Sequence, residues 1–351
     1  MDEQSLTLEH VKEYYGKVLG SQKDLKTSAC CTADAMPERI SDILREIHPE
    51  VRERFYGCGS PIPPLLAGCT VLDLGCGSGR DCFVLSKLVG EGGSVIGIDM
   101  TEEQLKVASR YIGYHTEKFG YRSPNVCFRQ GYIEDLESSG IPSASVDVVI
   151  SNCVLNLSPN KNRVFSEIFR VLKPGGELYF SDVFSSRRIP KHLASDSILL
   201  GECLGGALYT EDFRRILYKI GIPDYRVVSQ STITLNDNGI VAKAGMIDFY
   251  SITIRAFNLE TLEDRCEDYG QVAYYLGTVP ECPHTFVLDN HHVFKTGMPL
   301  LICSNTANML TESRFKPHFK VIGDTSTHYG LFDCAPKGVT PTGGGTVGAC
   351  C

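Results

Sequence analysis

Between residues 70 and 183 the chain alternates short apolar runs with amphipathic stretches. The runs at 70–74, 94–99, 126–130, 146–151 and 177–183 have the length and β-branched content of buried strands. The stretches at 79–89, 102–119 and 160–172 carry apolar residues at helical spacing. Pro174-Gly175-Gly176 stops the last helix and turns the chain into the strand that follows. This alternation predicts an α/β fold with a parallel-type sheet and helices on both faces. Upstream, Leu6, Leu8, Val11, Tyr14, Tyr15 and Val18 predict a helix over 5–19, and a second is expected over 37–48 with Pro37 near its first turn. Beyond 184 the pattern predicts helices at 190–202 and 210–220, then strands near 225–235, 247–257 and 285–289. The chain thus divides into an N-terminal helical cover (1–68), an α/β domain (69–235), a small α+β domain (236–334) and a low-complexity tail (335–351) ending in Cys350-Cys351.

Composition narrows the partners. The chain has 351 residues, 42% hydrophobic and 22% charged, as in an ordinary globular protein. Its formal charge of −8 gives no positive field to recruit phosphates, so nucleic acid is not the expected partner. The acidic, amphipathic N-terminus does not read as a signal peptide, and no run approaches a membrane span. A reducing, cytoplasmic setting and a monomer are therefore expected. Fifteen cysteines are many for such a setting, and no spacing matches a zinc finger or ribbon.

The first strand runs into Asp73-Leu74-Gly75-Cys76-Gly77-Ser78-Gly79, which opens a helix. Glycines at 75, 77 and 79 allow a tight turn and close backbone approach to a ligand. The spacing is G-x-G-x-G, not the G-x-G-x-x-G of dinucleotide enzymes. Asp73 can accept hydrogen bonds from a cationic amino-acid moiety and would repel a pyrophosphate. Asp99, ending the second strand, can accept from both ribose hydroxyls. Glu134, after the third strand, stands where an adenine could be cradled. Together these features favour S-adenosylmethionine over NAD.

Most of the cysteines read as packing residues, since free cysteine is among the most buried types. Cys69, Cys76, Cys82 and Cys127 fall in this class. Cys266, Cys282, Cys303 and Cys334 form no legible pattern along the chain. Cys58, Cys153 and Cys203 differ, because each sits among residues suited to turns or element ends. Cys153 follows the C-terminal end of a strand, where open α/β sheets place their sites. Two glycines follow Cys203 and let the chain present its thiol.

From Val11 to about Lys219 the chain resembles the arsenite S-adenosylmethionine methyltransferases of animal and algal type. The resemblance is carried by YYG (14–16), YGCG (56–59), LDLGCGSGRDC (72–82), GIDM (97–100), GYIE (131–134), SNCV (151–154), GGELYFSDV (175–183) and GECLGGALY (201–209). It implies a class I, Rossmann-like methyltransferase fold and an activity in arsenic detoxification. Cys58, Cys153 and Cys203 would be the thiolates that hold trivalent arsenic. Cys30 would be the family's fourth cysteine, forming a disulfide with a site cysteine during turnover, although Cys31 stands directly beside it. Tyr56, Asp73, Gly75, Gly77, Asp99, Met100, Ile133, Glu134 and Asn152 would contact the methyl donor.

Trivalent arsenic is soft, so thiolates outcompete water and carboxylates for it. Its lone pair has no proton to lose, and no catalytic histidine or carboxylate pair is legible in the chain. Transfer to arsenic would give mono- and dimethylated products, with trimethylation left open. Each transfer formally oxidises arsenic, so cysteine thiols, for instance Cys30 and Cys58, would return electrons and be reset by thioredoxin or glutathione. Two alternatives stand beside this reading: a methyltransferase for another small molecule, and a non-enzymatic, thiol-rich metalloid-binding protein.

Overall fold

A computed structural model describes residues 37–55, 61–194, 196, 199–200 and 203–334. The helix expected over 5–19, Cys30, Cys31, Tyr56, Cys58 and the cysteine-ending tail lie outside the described residues.

Five strands build the parallel half of the central sheet: β1 (Thr70–Leu74), β2 (Ser94–Asp99), β3 (Val126–Gln130), β4 (Val146–Asn152) and β5 (Leu172–Ser185). Three more complete it, namely β6 (Leu208–Tyr209), β7 (Arg226–Thr232) and β8 (Phe249–Phe257). The order is β3-β2-β1-β4-β5-β8-β7, with β6 beside β5. Pairing is parallel from β3 to β5, whereas β8 runs antiparallel to both β5 and β7. The sheet is therefore mixed, and it continues past residue 235 through β8.

Alternation along the strands decides which layer each side chain joins. Leu72, Leu74 and Val149 enter a core with Phe165, Phe180 and Phe213. Val71, Val148 and Ile150 point the other way, into a core with Phe83, Val84 and Leu85. The first core is covered by α6 (Lys161–Val171) and α7 (Thr210–Lys219), and the second by α1 (Glu38–Glu46), α2 (Pro49–Glu53) and α3 (Arg80–Val89). Pro37 is the N-cap of α1, at the start that the sequence predicts. The helix expected over 102–119 is two, α4 (Glu102–Arg110) and α5 (Ile112–Phe119). The break falls at Tyr111, which stacks on His48 at 3.8 Å and donates its hydroxyl to Glu50.

α8 (Asn238–Ala244) precedes β8, and beyond the sheet β9 (Gln271–Tyr275) pairs antiparallel with β10 (Pro299–Ile302) and β11 (Phe319–Ile322). These strands and α9 (Ser304–Thr311) enclose Tyr275, Phe286, Phe294, Met309, Phe315 and Phe319. Phe257 ends β8 and belongs to the same cluster, so this unit grows directly from the C-terminal end of that strand. A buried ion pair reinforces the joint: Glu177 of β5 meets Arg255 of β8 at 2.6 Å and Arg314 at 2.5 Å. Arg314 also donates to the carbonyls of Pro64 and Leu65, at 3.1 Å each. No helix among the described residues is long and apolar enough to cross a membrane.

Candidate active site

The chain passes from β1 outward to β2 and β3 on one side, then returns to place β4 on the other. The C-terminal ends of β1 and β4 thus flank the switch point where open α/β sheets bind ligands. A cavity opens there, lined by Asp73, Gly75, Gly77, Asp99, Met100, Ile133, Glu134, Asn152 and Cys153. All of these are residues that the sequence nominates.

Backbone hydrogen bonds fix the glycine loop. The amides of Gly75 and Cys76 donate to Ile98 O at 2.8 and 3.0 Å, tying the loop to the end of β2. Gly75 and Gly77 have φ of 71° and 52°, the left-handed region that glycine enters without strain. Asp99 accepts from Gly77 N and Thr101 N, each at 2.8 Å. Its carboxylate is therefore held in place while each oxygen keeps a lone pair for a ligand hydroxyl.

Asp73 is buried, and Cys82 Sγ donates to it at 3.2 Å. Burial first, and the neighbouring carboxylate of Asp81 second, push its pKa up to about 8. Asp81 in turn pairs with Arg80 at 2.7 Å and accepts from Asn152 Nδ2 at 3.4 Å. Three carboxylates thus gather around one loop, a field that suits a cationic ligand and opposes a pyrophosphate. This donor set fits S-adenosylmethionine, whose ammonium and sulfonium are both positive. The cavity is also lined by Asp81, Gln104, Tyr132, Leu157 and Ser158, to which the sequence reading gave no role. Asp81 lies inside the quoted glycine motif, so its position was legible while its orientation was not.

Cys153 closes the far wall of the cavity. It has φ of 58° and Cys203 has 61°, conformations that are uncommon for a side chain other than glycine and that concentrate at functional sites. The amide of Cys153 donates to Ser181 O at 2.9 Å, and Cys203 Sγ donates to Cys153 O at 3.5 Å. Leu204 N and Gly205 N both donate to Leu199 O, at 2.8 and 2.7 Å, which closes the turn carrying Cys203. Gly206 lets this turn lie flat on the chain, since a Cβ there would stand 2.0 Å from Asn156 O. Leu157, Val183, Leu199, Leu204, Ile233 and Phe249 surround the two cysteines with apolar surface. Cys153 is disulfide-bonded; the resemblance left open which site cysteine pairs with Cys30, and both Cys30 and Cys58 lie outside the described residues.

Below the thiols, Asp182 accepts from Asn156 Nδ2 at 2.7 Å and from Asn156 N at 3.2 Å. Burial raises the Asp182 pKa to about 7, against the pull of these donors and of Lys161. Lys161 itself donates to Asn156 O and Ser158 O at 3.1 and 3.0 Å. This lattice fixes the segment that carries Cys153, and the sequence reading did not anticipate it. Of the cysteines read as packing, Cys76 and Cys82 are buried, but Cys127 is exposed, since it projects from edge strand β3.

Comparison with known proteins agrees with this geometry. Residues 65–221 match a family model described as a methyltransferase domain, and 268–337 match one described as the arsenite methyltransferase C-terminal domain. An arsenite methyltransferase of Aquipseudomonas alcaligenes is 54% identical over 325 residues, 93% of each chain. The Mus musculus arsenite methyltransferase is 46% identical over 88% of this chain and 82% of its own. Among solved structures, an arsenic(III) S-adenosylmethionine methyltransferase from Chlamydomonas reinhardtii is 50% identical, with a TM-score of 0.82, covering 85% of this chain and all of that one. Both the methyl-donor half and the smaller C-terminal unit are thus accounted for by one family, and the chain belongs to the arsenite methyltransferases.

Proposed function

We propose that in the reduced protein, once the disulfide of Cys153 has been opened by thiol exchange, Cys58, Cys153 and Cys203 hold trivalent arsenic as thiolates, with its lone pair turned toward the donor cavity. The observation that carries this reading is that Cys153 lines the cavity while accepting a hydrogen bond from Cys203 at its carbonyl. Asp73 would take the ammonium of the methyl donor, Asp99 the ribose hydroxyls, and Met100, Ile133, Glu134 and Asn152 the remainder, with Tyr56 completing the wall. When bound, the donor supplies an electrophilic sulfonium methyl. The thiolates fix the arsenic so that an As–C bond forms as the S–CH3 bond breaks, with that bonding pair leaving on sulfur. No general base takes part. The apolar shell around Cys153 and Cys203 keeps water away from a step that loses positive charge on sulfur.

Arsenic is left formally pentavalent by each transfer, two electrons poorer. Two cysteine thiols would return those electrons and release two protons, becoming a disulfide. A dithiol or glutathione then resets the pair by exchange. Cys30 is the candidate redox partner. Such a chain would work as a monomer in a reducing, cytoplasmic compartment, detoxifying arsenite.

The test is an anaerobic turnover assay with arsenite, S-adenosylmethionine and a thiol reductant, with arsenic species separated and quantified. Positioning contributes much of such a rate, so Cys153→Ser is expected to lose at least about a hundredfold in product formation. Its donor affinity should stay close to the parent's. Unchanged turnover by Cys153→Ser would overturn the ligand assignment. Absence of methylarsenicals from the parent protein, despite donor binding, would overturn arsenic as acceptor.

A further inference from the structure

Three cysteines from distant parts of the chain meet outside the donor cavity. Cys266 Sγ lies 3.2 Å from Cys303 Sγ and 3.1 Å from Cys334 Sγ, and all three sulfurs lie within 4.8 Å of one another. None of them lines the cavity described above. Cys266 and Cys303 are buried, and Cys334 is half-buried.

The surroundings suit a thiolate cluster. Cys303 caps α9, accepting from Thr306 N at 3.5 Å and lying 3.2 Å from Thr306 Oγ1. The buried guanidinium of Arg226 donates to Cys303 Sγ at 3.7 Å. Two further nitrogens of Arg226, Nε and Nη1, have no hydrogen-bond acceptor among the described residues, although Nη1 stands 3.6 Å from Asp289.

From this geometry we infer that Cys266, Cys303 and Cys334 of the reduced protein form a second arsenic(III) site, one that holds the metalloid away from the methyl donor. An ion about 2.3 Å from each sulfur would subtend only about 86° across these two separations, far from the roughly 109° of tetrahedral zinc. A narrow pyramid with one open side is the shape of a lone-pair-bearing trivalent ion. Charge points the same way. A neutral arsenic trithiolate leaves the balance among Arg226, Asp224, Asp289 and His292 unchanged, whereas a zinc trithiolate would add one negative charge. Binding is a condensation: arsenous acid and three thiols give three As–S bonds and three waters, and no electron moves. Cys266 is disulfide-bonded in the structure, so the site exists only after that bond is reduced. A phosphine does this by becoming its oxide with oxygen from water, while the two sulfurs take two electrons and two protons. It also avoids the competition for arsenic that a dithiol would bring.

The inference goes beyond the catalytic assignment and does not depend on it. Full-length protein, reduced with a phosphine under anaerobic conditions, is dialysed to equilibrium against arsenite without methyl donor, and bound arsenic per chain is measured. The parent should bind two, and Cys303→Ser and Cys334→Ser one each. Serine keeps the cap on α9, so Cys303→Ser should fold; the unchanged donor affinity of both variants checks this. Cys153→Ser isolates the second site, where X-ray absorption should report three sulfurs on arsenic. Cys153→Ser combined with Cys303→Ser should bind none. The inference is overturned if neither Cys303→Ser nor Cys334→Ser lowers the count, or if only a Cys350→Ser/Cys351→Ser variant does. Stoichiometric zinc that arsenite cannot displace would overturn the choice of ion. Should the catalytic assignment alone be wrong, Cys153→Ser would leave the parent's count unchanged while Cys303→Ser still removed one.

Discussion

Asp73 has a consequence that can be measured. Its pKa is about 8 in the folded chain, against about 3.9 for an ordinary aspartate. Between these values the folded state holds a proton that the unfolded state lacks, so the contribution of this group to stability falls as pH rises from 4 to 8. An ammonium bound as proposed would reverse the preference and drive the proton off. Donor affinity should therefore strengthen by up to about tenfold per pH unit between pH 5.5 and 7, where the ligand's own amine stays charged. Calorimetry of S-adenosylmethionine binding checks this, and Asp73→Asn should bind weakly with a flattened profile. A second residue couples the two halves of the site. A Cβ on Gly75 would lie 2.4 Å from Val154 Cγ2, and its φ of 71° is unfavourable for alanine. Gly75→Ala should cost about 1–3 kcal/mol in urea denaturation. It should also depress turnover further than donor affinity, because Val154 adjoins Cys153. Asp73, the glycines and Asp99 were legible because strand, turn and helix bring them together within one βαβ unit. The approach of Cys203 to Cys153 was not, since fifty residues separate them and it depends on the bonds from Leu204 N and Gly205 N to Leu199 O.

Among the elements, the parallel half of the sheet could be read from the chain. Its strands are continuous apolar runs punctuated by helices, and the periods differ. The runs near 225–235 and 247–257 were legible as strands, but not their direction or their place in the main sheet. Those are set by pairing across the sheet, where β8 meets β5 from Glu177–Phe257 to Ser185–Phe249. In the smaller unit the strand Thr285–Val287 was legible near 285–289, but its other strands, two to five residues long, are too short to show a period. The joint between the two units depends on a charge that hydropathy hides. Glu177 is fully buried between Arg255 and Arg314. Removing one member of such a group leaves the others uncompensated, at about 3–5 kcal/mol. Glu177→Ala should lose that much in chemical denaturation, and Arg314→Ala less, since Arg255 still pairs with Glu177. Equal losses would place the energy in the contacts of Arg314 with Pro64 and Leu65 instead.

Across the whole molecule the reaction must alternate between transfer and reduction, and this order can be separated by the choice of substrate. Starting from arsenite, the first transfer leaves pentavalent arsenic, which must regain two electrons before a second methyl can be added. Starting from trivalent methylarsenite, the next transfer needs no prior reduction. A cysteine that only returns electrons is therefore required in the first case and dispensable for one turnover in the second. Cys30→Ser should accumulate monomethylated product from arsenite, while forming dimethylated product from methylarsenite at close to the parent's rate in a single turnover. Cys153→Ser, which would lose a ligand, should fail in both. Separation of arsenic species over a time course, with and without added thiol reductant, distinguishes these outcomes. Equal loss by Cys30→Ser from both substrates would make Cys30 a positioning or ligand residue. The electrons would then have to come from another thiol, with Cys31 beside it the first to replace.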